Sequence, residues 1–193
     1  MAAEGIQLAV EFYPWSRALL TAKGERYVGV YPTWPEDVLP GFTASPVIVR
    51  SPVGFVEPKS APLSWVRLED LAGKRIGIVQ DYGNTVEFMH LVRNKTLKVE
   101  VVIDGLTNIR KVAGRRIDAA LIDLHNLSYY LKHDAKALAH QVQANARAIG
   151  TKDLVLSINR KFAHRSAFDT LARGLSKIDP DKIINDYLSR HSL

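Results

Sequence analysis

The side chains best placed to do chemistry gather at strand ends. Tyr82-Gly83-Asn84-Thr85 follows the apolar run Ile76-Gly77-Ile78-Val79 and leads into a helical pattern. Gly83 permits a tight turn, and Asn84 or Thr85 can cap a helix running to about residue 94. The first amides of such a helix have no intrahelical partner, so with the positive end of the helix dipole they favour a carboxylate or phosphate. The guest is then a polar or anionic ligand; the alternative is an ordinary strand-to-helix turn that binds nothing. Asp123 closes another apolar run, Ala119-Ala120-Leu121-Ile122, and Tyr31-Pro32-Thr33-Trp34 closes the run at residues 27–31. Ligands of open α/β sheets sit at strand ends of this kind, and two lobes sharing a crevice would use both sets.

No catalytic set accompanies these residues. The chain has no cysteine, which excludes thiol catalysis, disulfides and cysteine metal sites. His90, His125, His133, His140, His164 and His191 show no paired metal spacing on one helix face, so no metal is expected. His125 beside Asp123 is a helix-start pair, because no serine stands in a nucleophile elbow. Trp15, Trp34 and Trp65 can stack on a ligand, although aromatics of this kind more often belong to a core. A protein that binds without covalent chemistry, and without a cofactor, is expected.

The elements that must position these residues alternate along the chain. Residues 6–12 read as a strand, Pro14 opens a helix, and residues 27–31 return as a strand, together a βαβ unit. A proline-rich stretch over residues 32–62 reads as an ordered crossover with strands at 47–49 and 54–56. Then come strands at 76–79, 99–103 and 118–122, with helices at about 107–113 and 124–132 between and after them. A strand at 154–158, an amphipathic helix at about 165–177 and a last helix from residue 179 complete an α/β chain with a parallel sheet.

Composition bounds the function. The 193 residues suffice for one large domain or two small lobes, and 47% hydrophobic content is that of a globular core. The formal charge of +6 is spread over short pairs such as Lys74-Arg75 and Arg115-Arg116, with no basic helix and no aromatic-interleaved patch. Nucleic-acid binding is therefore not expected. No apolar run approaches the ~20 residues of a membrane span, and the first residues are no signal peptide.

Three segments together carry a resemblance. Leu68-Glu69-Asp70-Leu71-Ala72-Gly73-Lys74-Arg75-Ile76-Gly77-Ile78-Val79-Gln80, then Gly114-Arg115-Arg116-Ile117-Asp118-Ala119-Ala120-Leu121-Ile122-Asp123, and the early Phe12-Tyr13-Pro14-Trp15-Ser16-Arg17-Ala18-Leu19 look like the bacterial extracellular solute-binding proteins of family 3. The match runs in order from about residue 5 to the C-terminus. It implies the type 2 periplasmic-binding-protein fold, with two α/β lobes, a hinge and an interlobe cleft that closes on a small polar, amino-acid-like solute. It also implies a periplasmic location, although no signal peptide is present in this chain, and a membrane permease of an ABC transporter as partner. A ligand-binding sensory domain of a signalling protein is the alternative, and an enzyme on the same fold a more distant one. By this resemblance the first lobe comprises residues 1–52 and 160–193, the crossover or hinge segments residues 53–70 and 151–159, and the second lobe residues 71–150.

Carried over residue by residue, Asp123 matches the second-lobe carboxylate that accepts from a ligand ammonium, with a plain helix N-cap as its other reading. Asn84 and Thr85 match the helix start that holds a ligand carboxylate, Tyr31 and Thr33 the first-lobe strand end, and Trp34 and Tyr82 add aromatic contacts. The family's first-lobe arginine has no counterpart in Pro35-Glu36-Asp37-Val38-Leu39-Pro40, so only Arg17 or Arg50 could substitute. The resemblance also leaves out the family's opening strand and helix, which implies an incomplete first lobe, an exposed sheet edge and a possible homodimer through it.

Overall fold

The structure, a computed structural model, describes residues 2–163 and 165–190; His164 and His191 lie outside them. In chain order the elements are α1 (Trp15–Ala22), β1 (Gly29–Thr33), β2 (Phe42–Ala44), β3 (Val49–Pro58), β4 (Arg75–Val79), α2 (Val86–Arg93), β5 (Lys98–Val102), α3 (Gly105–Ala113), β6 (Ala119–Asp123), α4 (Leu124–Lys132), β7 (Val142–Asn159), α5 (Arg165–Leu175) and α6 (Pro180–Arg190). The described residues divide into two compact units, residues 2–51 with 152–163 and 165–190, and residues 52–151. Among the described residues no helix is long and apolar enough to cross a membrane.

In the first unit β1 and β2 both run antiparallel to β7, pairing Gly29 with Ile158 and Phe42 with Asn159. Helix α1 lays Trp15, Ala18, Leu19 and Ala22 against Val30, Phe42, Val38 and Leu39. That spacing is the apolar stripe of a helix packed on a sheet. Residues 6–12, read from their alternation as a strand, form none. Ile6, Leu8, Val10 and Phe12 are exposed, Phe12 at 92%, and among the described residues no strand pairs with this segment. Alternation supplies a face but not the ladder that satisfies backbone amides. The βαβ unit is accordingly absent, and β1 finds its partner in β7.

The second unit follows its sequence pattern closely. Strand β4 lies between β5 and β6, parallel to both, with Arg75 to Val79 in register with Lys98 to Val102 and Ile76 opposite Ala119. On the other side of β6, β3 runs antiparallel, so the sheet is mixed where an all-parallel one was expected. Val56, Ile109, Val112, Ile117, Ala120, Ile122, Leu127 and Val142 form its core. Two strands are longer than their apolar runs suggest. β3 extends through Pro52 to Pro58, and β7 begins at Val142, well before residues 154–158, through a polar stretch that hides it.

Part of that polar stretch is consumed by a buried carboxylate. Glu57 on β3, 1% exposed, accepts from the Leu63 amide at 2.8 Å, Gln143 Nε2 at 2.9 Å and Asn145 Nδ2 at 2.6 Å. The Asn145 Oδ1 in turn accepts from the Trp65 indole at 3.0 Å, and Trp65 meets Phe55 edge-on at 5.8 Å between centroids. Trp65 is thus half-buried against Phe55 and tied to a polar network that leaves the buried carboxylate hydrogen-bonded.

Candidate functional site at the strand ends of the second unit

Three helices of the second unit begin where parallel strands end. The Thr85 hydroxyl accepts the Phe88 amide at 3.3 Å at the start of α2. Asp104 Oδ1 accepts the Thr107 amide at 2.6 Å at the start of α3, and Asp123 Oδ1 the Asn126 amide at 3.0 Å at the start of α4. Each is an N-cap that satisfies one orphan donor and leaves the remaining first-turn amides and the dipole end of its helix at the same edge of the sheet. Thr85 therefore caps α2. Asn84 instead donates to the Tyr82 carbonyl at 3.0 Å and closes the turn. The residue that takes the left-handed conformation there is Asp81, with φ 59°, a type that tolerates it; Gly83 does not adopt positive φ.

Tyr82 joins these helix starts electrostatically. Its phenol is pushed up to about 12, first by burial of the hydroxyl, even though the residue as a whole is 40% exposed. The Tyr130 phenol and the Asp104 and Asp123 carboxylates add to the rise. Tyr130, on α4, is shifted upward as well, by burial and then by Asp104. Its ring lies over Gly105, 3.2 Å from where a Cβ would stand, so the bare glycine that opens α3 lets the tyrosine approach Asp104. Among the described residues neither Asp104 nor Asp123 forms an ion pair. Two half-buried carboxylates without a cation, beside two phenols that stay protonated donors, make this edge receptive to a cationic group.

The remaining sequence candidates lie in the first unit, where β1 ends. Tyr31 is exposed, while Thr33 is buried at 2% exposure and its hydroxyl donates to the Val30 carbonyl at 3.4 Å. Trp34 is half-buried under Lys152, whose Nζ stands 4.5 Å from the ring centroid and pairs with Glu36. Arg50 pairs with Asp153 at 2.9 Å, and the Arg17 guanidinium lies over the Tyr13 ring at 5.2 Å. The cation beside Trp34 is thus Lys152, from β7, and neither arginine.

Sequence reasoning brought Tyr82, Asn84, Thr85 and Asp123 to one edge and missed Asp104 and Tyr130. The pair Asp104-Gly105 ahead of a helical run is itself a cap signal of the same kind as Asp123-Leu124. Tyr130, seven residues beyond Asp123 on one helix face, could have been placed from spacing. Among the described residues no group of three or more His, Asp or Glu side chains is placed to hold a metal ion.

No protein-family model matches the chain, and no curated protein matches it. Solved structures do. A histidine kinase sensor domain with similarity to periplasmic binding proteins is 15% identical, with 98% of this chain and 80% of that one covered at a TM-score of 0.76. An ancestral arginine-binding protein bound to arginine is 14% identical over 98% of this chain and 82% of that one, at 0.76. An amino acid ABC transporter substrate-binding protein of Streptococcus pneumoniae, bound to L-arginine, is 12% identical over 98% and 80%, at 0.75. At these TM-scores and coverages, the mixed α/β chain has the type 2 periplasmic-binding-protein fold.

Proposed function

We propose that this chain captures a small polar, amino-acid-like solute at the strand ends of its second unit, as the extracytoplasmic receptor of an ABC transporter. The observation that carries the reading is the uncompensated pair Asp104 and Asp123 beside Tyr82 and Tyr130. A solute ammonium or guanidinium supplies the missing cation through charge-assisted hydrogen bonds. The amides that open α2, next to Asn84 and Thr85, suit the solute carboxylate. Capture involves no covalent step. The arginine bound to two similar structures supports a solute with both charges.

A second reading, a sensory domain that binds the same kind of solute, is supported by the likeness to a histidine kinase sensor domain. Uptake of labelled solute by cells with and without the gene separates the two roles.

The binding step itself is tested by thermal shift against L-arginine, L-lysine, L-glutamate, putrescine, succinate and glucose. A ligand that binds only the folded state raises Tm by mass action. We expect a rise with the cationic amino acids that Asp123→Asn diminishes and Asp123→Ala abolishes. No shift with any compound, from a folded sample, overturns the reading.

A further inference from the structure

At the opposite, amino-terminal end of the same sheet lies a cavity of about 380 Å³, lined among others by Lys74, Arg75, Arg115 and Asp118. Strand β4 is five residues long, which at ~3.3 Å per residue puts about 16 Å between this end and the solute edge. The exposed apolar part of its lining is Ala61, Pro62 and the half-buried Leu63. The charged part of the lining is basic, and its charges are unequally paired.

Asp118 is committed to Arg75. Its Oδ1 accepts Arg75 Nη2 at 2.9 Å, and its Oδ2 accepts Arg75 Nε at 3.2 Å and the Arg75 amide at 2.7 Å. That fork holds the Asp118 carboxyl below its ordinary range. Arg75 Nη2 also donates to the Arg115 carbonyl at 3.2 Å, which anchors the turn that carries Arg115. The Arg115 guanidinium donates to the Ser60 hydroxyl, a neutral partner. Among the described residues neither Lys74 nor Arg115 forms an ion pair. The Glu100 carboxylate, which also acts on Arg75, is taken up by Lys111 at 2.6 Å, so the three cations lining the cavity face one lining carboxylate, and two positive charges are left around it.

We propose that this cavity is an anion site for a phosphate monoester, with the dianionic phosphate between Lys74 and Arg115 and its organic part against Pro62 and Leu63. A phosphate monoester carries about −1.5 to −2 at neutral pH, which matches the uncompensated charge, and offers several acceptors to a guanidinium and an ammonium. The phosphate could belong to a free small molecule or to a lipid headgroup. Both share this chemistry.

The test uses phenyl phosphate and inorganic phosphate, followed by ³¹P NMR on the whole protein at low ionic strength. Vesicles of phosphatidylcholine with and without phosphatidic acid form a second arm, followed by sedimentation. Binding of phenyl phosphate, tighter than inorganic phosphate, is expected, with about tenfold weakening in Lys74→Gln and in Arg115→Gln. Lys23→Gln, at an exposed lysine of the first unit, controls for net charge. Phenyl phosphate binding without vesicle binding assigns a free monoester, and binding to the phosphatidic acid vesicles a headgroup. Both side chains are exposed, so the variants are expected to fold, and the solute-induced thermal shift at the other end of the sheet should be unchanged in them. No binding in either arm, or weakening no greater than in Lys23→Gln, overturns the proposal and leaves the solute reading untouched.

Discussion

The Asp123 carboxylate accepts the Asn126 backbone amide at 3.0 Å, so the group proposed to hold the solute's cation also caps α4. The two roles need different chemistry. Capping needs only an acceptor, and asparagine serves nearly as well as aspartate. Holding a cation needs the charge. Asp123→Asn should therefore keep unfolding stability within about 0.5 kcal/mol of the parent and weaken L-arginine binding tenfold or more. Asp123→Ala should lose the binding and about 1 kcal/mol of stability as well. Urea unfolding and calorimetric titration distinguish the cases.

Tyr82 predicts a specific alkaline behaviour. Its phenol ionises near 10 in the unfolded chain and at about 12 in the folded one. Between those values the folded state holds the extra proton, so stability is fully present below pH 10 and falls as pH rises toward 12. Tyr82→Phe should remove part of this fall, seen as a flatter dependence of the unfolding midpoint on pH from 10 to 12. An unchanged slope would count against the burial of the hydroxyl.

The Glu57 network predicts a large effect from a neutral change. Asn145→Ala deletes a donor to the buried carboxylate and the acceptor of the Trp65 indole together. Orphaned buried groups of this kind should cost about 2–4 kcal/mol, measured by chemical denaturation. A loss under about 1 kcal/mol would mean that water replaces Asn145 without penalty.

Gly29 on β1 pairs with Ile158 on β7. An added Cβ would run into the Ser157 carbonyl oxygen and stand 3.1 Å from its carbon and 3.2 Å from Ile158 Cα, all backbone that cannot rotate away. Gly29→Ala should destabilise the first unit by about 3 kcal/mol, the upper part of the overpacking range. Hydrogen exchange of the β1 and β7 amides is the local readout, and unchanged protection there would refute the close approach.

What this chain's sequence determined by itself is local. β4, β5 and β6 are apolar runs punctuated by turn residues, and α2, α3 and α4 follow with their own caps, so these elements and the placement of Tyr82, Thr85 and Asp123 at strand ends follow from neighbouring residues. The tertiary structure decided whatever depends on a distant partner. Residues 6–12 have a strand's alternation but no neighbour to pair with, whereas the polar start of β7 is a strand because β3 and the Glu57 carboxylate, 86 residues from Gln143 and 88 from Asn145, give it partners. The meeting of Tyr130 with Asp104 across Gly105, and of Lys152 with Trp34, belongs to the same class. Periodicity reports which face of an element is apolar; hydrogen-bond ladders and charge pairing depend on what that face meets, and only the folded chain supplies it.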